Sequence, residues 1–178
     1  MIDAGTLEAW AQGALAQDDP RTAMLFDAAL ADVRSYCGWH VWPLRTDTLT
    51  LNGTGGRSVQ LPSLRVADVE SVTVGGAVLD ADVYEWSADG ELRLLRGVFP
   101  DRFRSVTVTL EHGYEDAPDV AAVVLSVAAR AGASPMGYTR EQVGGISLTH
   151  GTVGGMVAGG TFMADERAKL DRYVAEVH

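Results

Sequence analysis

The spacing of apolar and polar positions changes period twice along the chain, and the changes divide it. Leu7, Trp10 and Ala14 recur at helical spacing and predict a short first helix that ends in the polar run Gln17-Asp18-Asp19. A second helix is expected from Pro20, a residue tolerated in a first turn, with Asp19 before it as a cap. Its stripe is Ala23, Phe26, Leu30, Val33 and Cys37, in steps of three and four. Gly38 can take the left-handed conformation that closes a helix, and Pro43 then prevents its resumption.

From about Arg45 to His112 the period is two. Thr48 to Leu51 alternates, turns through Asn52-Gly53-Thr54-Gly55-Gly56 and resumes in Ser58 to Leu61, the pattern of a hairpin half buried on one face. Short strands are expected at 69–74, 77–79, 84–86, 92–95 and 105–110, with turns at Gly75-Gly76 and Asp89-Gly90. No crossover helix fits between them, which predicts an antiparallel sandwich or small barrel.

Helical spacing returns at Pro118-Asp119 and runs to about Arg130. Val120, Val123, Val124 and Val127 line one face, while Ala121, Leu125, Ala128 and Ala129 cover most of the rest. A helix with so little polar face is enclosed on several sides. It is read either as the central helix of a bundle or as a subunit contact through Val120, Val124 and Val127. Seven of the 20 glycines then fall between Gly144 and Gly160, around the alternating Ile146-Ser147-Leu148-Thr149. Ordering that many glycines costs conformational entropy, so this arm is expected to be mobile in a free monomer and held by a partner. Ala164 to Val174 predicts a short amphipathic helix.

The fold class expected is α+β: a small helical bundle, made of the N-terminal helices, the central apolar helix and a C-terminal helix, with an inserted antiparallel β sandwich or barrel. The divisions are residues 1–43 for the N-terminal helices, 44–114 for the β lobe, 115–143 for the central helix, and 144–178 for the glycine-rich arm and last helix.

Composition narrows the classes. The 178 residues are 47 % hydrophobic and 21 % charged, which argues against disorder, collagen and coiled coil. A formal charge of −10 opposes holding DNA or an acidic membrane by phosphate neutralisation. Cys37 is the single cysteine, so neither an intrachain disulfide nor a cysteine-based zinc site can form, and a reducing cytosol fits. The first residues carry no basic region or apolar run of signal length, so no targeting segment is expected. The apolar run Val120 to Leu125, extended past Ser126, falls far short of the roughly 20 residues that span a bilayer.

Catalytic and cofactor motifs are weak. Gly53 to Arg57 lies between strands and offers no helix N-terminus to a phosphate. Gly151-Thr152-Val153-Gly154-Gly155 lacks the Gly-Lys-Ser/Thr ending of a phosphate loop, and no serine has a Gly-x-Ser-x-Gly setting. His40, His112, His150 and His178 are scattered, so no metal site is expected. A small hydrolase using His112 with Glu115 or Asp116 is the enzymatic alternative, although Glu111, as its strand neighbour, points to the opposite face. Trp39, Trp42, Tyr84 and Trp86 could form a stacking platform for carbohydrate or peptide, but core packing explains them more simply.

Charge placement says more. Seven carboxylates and no basic residue lie between Val66 and Glu91, and six carboxylates against Arg21 lie between Met1 and Asp32. Arg93, Arg96, Arg102 and Arg104 cluster around Phe99 and Phe103 as a basic, aromatic patch. Such a patch suits an acidic partner surface, a subunit contact or a phosphate chain, or is a solvated loop over packed phenylalanines.

Several stretches together resemble the head-to-tail connector, or adaptor, family of long-tailed bacteriophages, especially of actinobacterial hosts. They begin with Arg34-Ser35-Tyr36-Cys37-Gly38-Trp39-His40-Val41-Trp42-Pro43 and continue through Leu61-Pro62-Ser63-Leu64-Arg65-Val66, Ser71-Val72-Thr73-Val74 and Tyr84-Glu85-Trp86-Ser87. Phe99-Pro100-Asp101-Arg102-Phe103, Val106-Thr107-Val108-Thr109 leading to His112-Gly113-Tyr114, Pro118-Asp119-Val120-Ala121 and Glu166-Arg167-Ala168-Lys169-Leu170-Asp171-Arg172-Tyr173 complete the likeness.

The resemblance implies a structural virion protein without catalysis or cofactor: a dodecameric ring beneath the portal at the capsid vertex, carrying the stopper and tail. It places the protein at the head–tail junction of the virion, assembled in the host cytoplasm. DNA would pass through the lumen without sequence-specific binding, and an acidic wall would let it slide. Phe162, Met163, Leu170, Tyr173 and Val174 are then the expected apolar anchors for docking to the portal. A stopper or tail-completion protein of the neck is the nearest alternative.

Overall fold

The computed structural model describes residues 9, 16, 18–133, 140–143, 146–149, 152–153, 156–157 and 162–175. The first expected helix and the glycines of the 144–160 arm lie outside them. The chain divides into two units: residues 1–37 with 118–174, and residues 38–117 with 175–178.

In the first unit, α1 spans Pro20–Cys37. Its start is held by the Arg21 backbone N–H donating to Asp19 Oδ1 at 2.9 Å and by Thr22 Oγ1 donating to the Ala16 carbonyl at 2.7 Å. The buried line of α1 is Thr22, Ala29, Val33 and Cys37, with Phe26 and Leu30 half-buried beside it. Ala23, expected in the stripe, is exposed. Gly38 follows with φ 80°, the left-handed stop the sequence predicts.

Helix α2, Pro118–Ala133, packs on α1 and on the short α3, Ala164–Leu170, which continues as a 3-10 turn over Asp171–Tyr173. Seven residues make a helix too short to be stable alone, so its seat in the bundle holds it. Two small antiparallel pairs belong to the same unit: β8 (Arg140–Val143) with β9 (Ile146–Thr149), and β10 (Thr152–Val153) with β11 (Met156–Val157).

The second unit holds β1 (Arg45–Leu51), β2 (Ser58–Gln60), β3 (Val66–Val74), β4 (Ala77–Val78), β5 (Tyr84–Trp86), β6 (Glu91–Leu94) and β7 (Val106–His112). One sheet has the order β1-β7-β3-β4 and the other β2-β6-β5, all antiparallel. Their inner faces share one core, in which Val72, Leu92, Phe99, Val106, Val108 and Leu110 are fully buried. This is an α+β fold with two separate facing sheets, so the sandwich describes the described residues and the closed barrel does not.

The expected β1–β2 hairpin is not formed. Strand β1 pairs with β7 and β2 pairs with β6, and the 52–57 segment carries the chain from one sheet to the other. The 99–102 segment holds it there: the Gly53 N–H donates to Arg102 O and the Phe99 N–H to Gly56 O, at 2.9 and 2.8 Å. A Cβ on Gly53 would lie 1.9 Å from the Pro100 carbonyl oxygen, so the close approach requires glycine.

Candidate functional site

His112 ends β7 on the inward face, where β1 brings Asp47 beside it. Its Nε2 donates to Asp47 Oδ2 at 3.0 Å, the ring is 3 % exposed, and its buried Nδ1 has no hydrogen-bond partner among the described residues. Burial pushes the Asp47 carboxyl up, but hydrogen bonds from His112 and Arg45 outweigh it and hold Asp47 below the ordinary carboxylate value. His40 lies ring to ring with His112 at 5.3 Å, and its Nε2 donates to the Pro43 carbonyl at 2.5 Å. Glu115 and Asp116 are exposed, and the carboxylate that orients His112 is Asp47. Through its hydrogen bond to a strand carboxylate the buried imidazole ties β7 to β1. Among the described residues, no group of three or more His, Cys, Asp or Glu is placed to hold a metal.

The four aromatic residues do not make an open platform. Trp39, Trp42 and Tyr84 are buried and Trp86 is half-buried; Trp39 packs on Tyr114 with ring centroids 6.2 Å apart.

The arginine cluster splits in two. Arg93 lies on β6 directly across from Glu85 on β5, and its Nε donates to Glu85 Oε1 at 2.6 Å. Arg96, Arg102 and Arg104 stand on the 95–105 loop, all exposed. Phe99, completely buried, anchors that loop in the core, while Phe103 is 83 % exposed and Val98 59 %. Arg104 has φ 53°, rare for a residue with a side chain, and its N–H donates to Asn52 Oδ1 at 2.9 Å. Beside the loop is a surface depression of about 470 Å³ lined by Thr73, Gly75, Gly76, Arg102 to Ser105 and Thr107.

In the helical unit, Val120, Val124 and Val127 are inside the chain's own bundle, at 0, 0 and 2 % exposure. Their cover is internal, as for the central helix of a bundle. The C-terminal anchors are seated too. Leu170 is fully buried, Phe162 meets Tyr36 edge-on at 5.4 Å, and the Tyr173 hydroxyl donates to Asp119 at 3.1 Å. Met163 is half-buried and Val174 is 39 % exposed.

Arg130 and Glu166, which the sequence reading did not single out, fasten this seat. Arg130 Nη1 and Nη2 reach Glu166 Oε1 and Oε2 at 2.6 and 2.8 Å, and Glu166 Oε2 also accepts the Met163 N–H at 2.8 Å. The one local signal was an acidic residue in the first turn of a short helix.

No family model and no curated protein matches the chain. Nine chains in solved structures do, the following three among them. A chain in the neck of a native gene transfer agent (GTA) particle, computed with C12 symmetry, is similar with TM-score 0.65 at 17 % identity, covering 100 % of this chain and 94 % of that one. A chain in the neck of an empty GTA particle, computed with C6 symmetry, gives 0.64 at 16 % identity over 98 and 90 %. A chain in the virion of a native gene transfer agent particle gives 0.61 at 18 % identity over 100 and 95 %. At these identities the likeness is one of fold, and it runs from end to end.

Proposed function

We propose that this chain is a structural protein of the neck of a phage or phage-like particle: a head-to-tail adaptor that forms a ring under the portal and links it to the stopper and tail. The observation that carries this reading is the end-to-end fold likeness to a chain in a GTA neck, which covers 100 % of this chain and 94 % of that one. The likeness includes the bundle, the inserted β unit and the return to the bundle, so it is more than a shared β sandwich.

The C12 symmetry of that neck supports a ring of twelve copies. The net charge of −10 supports a lumen that DNA crosses without sticking. Docking to the portal is assigned to the C-terminal segment, with Phe162, Met163, Leu170, Tyr173 and Val174 as anchors. Because Leu170 and Tyr173 are seated in the chain's own bundle, that docking requires α3 to leave its seat or to carry the bundle with it.

Negative-stain imaging of the purified chain mixed with portal from the same particle tests the reading. An adaptor adds a second stacked ring to the portal. Unaltered portal particles contradict it, and binding to a tail-side ring instead identifies a stopper or tail-completion protein.

A further inference from the structure

We infer that the 95–105 loop of the β unit is an assembly surface, and that its occupant is the acidic end of the β unit of a neighbouring copy. The inference rests on the ring proposed above and names the contact that would close it.

The loop is built to present, rather than bury, its side chains. Phe99 fixes it in the core, Gly53 lets the 52–57 segment lie directly against it, and Ser105 Oγ donates to Arg102 O at 2.8 Å. Held between these ties, Arg104 keeps a left-handed backbone that is unfavourable for arginine. Strain kept at a rigid, exposed site points to function. What the loop presents is an exposed aromatic ring with three arginines against the single carboxylate Asp101, closer to the composition of an interface centre than to that of a solvated loop.

The register of the sheet puts the complementary charge at the other end of the same unit. Val74 pairs with Val106 next to the loop, whereas Val66 pairs with His112 at the far end. The Val66 N–H donates to Ala88 O at 2.8 Å, which brings the Asp89 turn to that far end beside Asp68. Asp68, Asp89 and Glu91 are exposed there, while the nearby cations are engaged: Arg45 with Asp47, and Arg65 over the Tyr114 ring. Six residues of strand separate Asp68 from Val74, roughly 20 Å, beyond the reach of an arginine side chain in the same copy. The loop and the acidic end therefore satisfy one another only between copies. Exposed Phe103 and Val98 argue against a phosphate backbone as the occupant, as does the chain's overall charge.

The test puts a benzophenone photoprobe in place of Phe103 in the full chain and irradiates it alone at roughly 100 μM, above a micromolar dissociation constant, and again on portal. The expected adduct joins two copies and maps to residues 66–70 or 87–91, at the acidic end. Arg102→Glu with Arg104→Glu lowers its yield by at least about tenfold, through like-charge repulsion. A copy carrying Asp68→Arg and Glu91→Arg restores it. No adduct in either sample, an adduct elsewhere on the second copy, or an adduct to a different protein or to DNA overturns the inference. A chain that stacks on portal without this adduct keeps the neck reading and loses the contact, whereas one that gives the adduct but ignores portal does the reverse.

Discussion

Arg130 of α2 grips Glu166 of α3 with both guanidinium nitrogens, at 2.6 and 2.8 Å, although Glu166 is only 4 % exposed. Two charges removed from water in this way are stable only as a pair, so the contact ties a seven-residue helix to the bundle.

Glu166→Ala is therefore expected to cost about 3 kcal/mol in urea denaturation, since it removes the buried carboxylate that holds both Arg130 and the Met163 N–H. Limited proteolysis should find the 162–175 segment cleaved first in the variant. Unchanged stability and an uncut C-terminal segment would show that the pair does not hold α3.

Gly53→Ala should destabilise the β unit by about 2 kcal/mol or more, because its Cβ collides with the backbone oxygen of Pro100. Gly76→Ala is the control. Gly76 has φ 91° with open space around it, so only backbone strain of about 1 kcal/mol is expected. Thermal unfolding of the two variants gives the comparison, and equal losses contradict the close approach at Gly53.

Asp47 gives the fold a dependence on acid. Its carboxyl is held below the ordinary value near 4, so in that range the unfolded chain takes up the proton first. The stabilisation is complete above the unfolded value and is lost as pH falls through the lower folded one. Denaturant midpoints measured from pH 6 down to pH 3 should drop more steeply for the wild type than for Asp47→Asn. Parallel curves contradict the His112–Asp47–Arg45 tie.

Cys37 should be chemically silent while the chain is folded. Burial, with a smaller contribution from the Asp171 charge, pushes its thiol up to about 11, so little thiolate exists at pH 8. A disulfide-exchange reagent is expected to label it fully only after denaturant is added. Rapid labelling of the native chain would place the thiol at the surface.

Much of the architecture is legible in local spacing. The Gly38 stop of α1, the apolar α2 and most of the short strands each depend on residues close in sequence. Strand partners do not, and that is where the reading of the sequence fails: the alternating 48–61 stretch looks like a hairpin, but β1 finds its partner in β7. Bulges in β3 between Val66 and Asp68 and between Val69 and Ser71 also break the simple period of two.

The same limit governs the side-chain clusters. The arginines near Phe103 are visible as a local cluster, and only the cross-strand position of Glu85 removes Arg93 from it. Asp47 beside His112 and Glu166 beside Arg130 are brought together from 65 and 36 positions apart, a distance at which no spacing rule reaches.

The central claim is that copies of this chain complete one another in a ring on a portal. Measuring the mass of the purified chain alone and then mixed with portal from the same particle tests it most directly. The account predicts a complex heavier than portal by a dozen copies of 18.9 kDa. A chain that stays at 18.9 kDa beside portal of unchanged mass contradicts it.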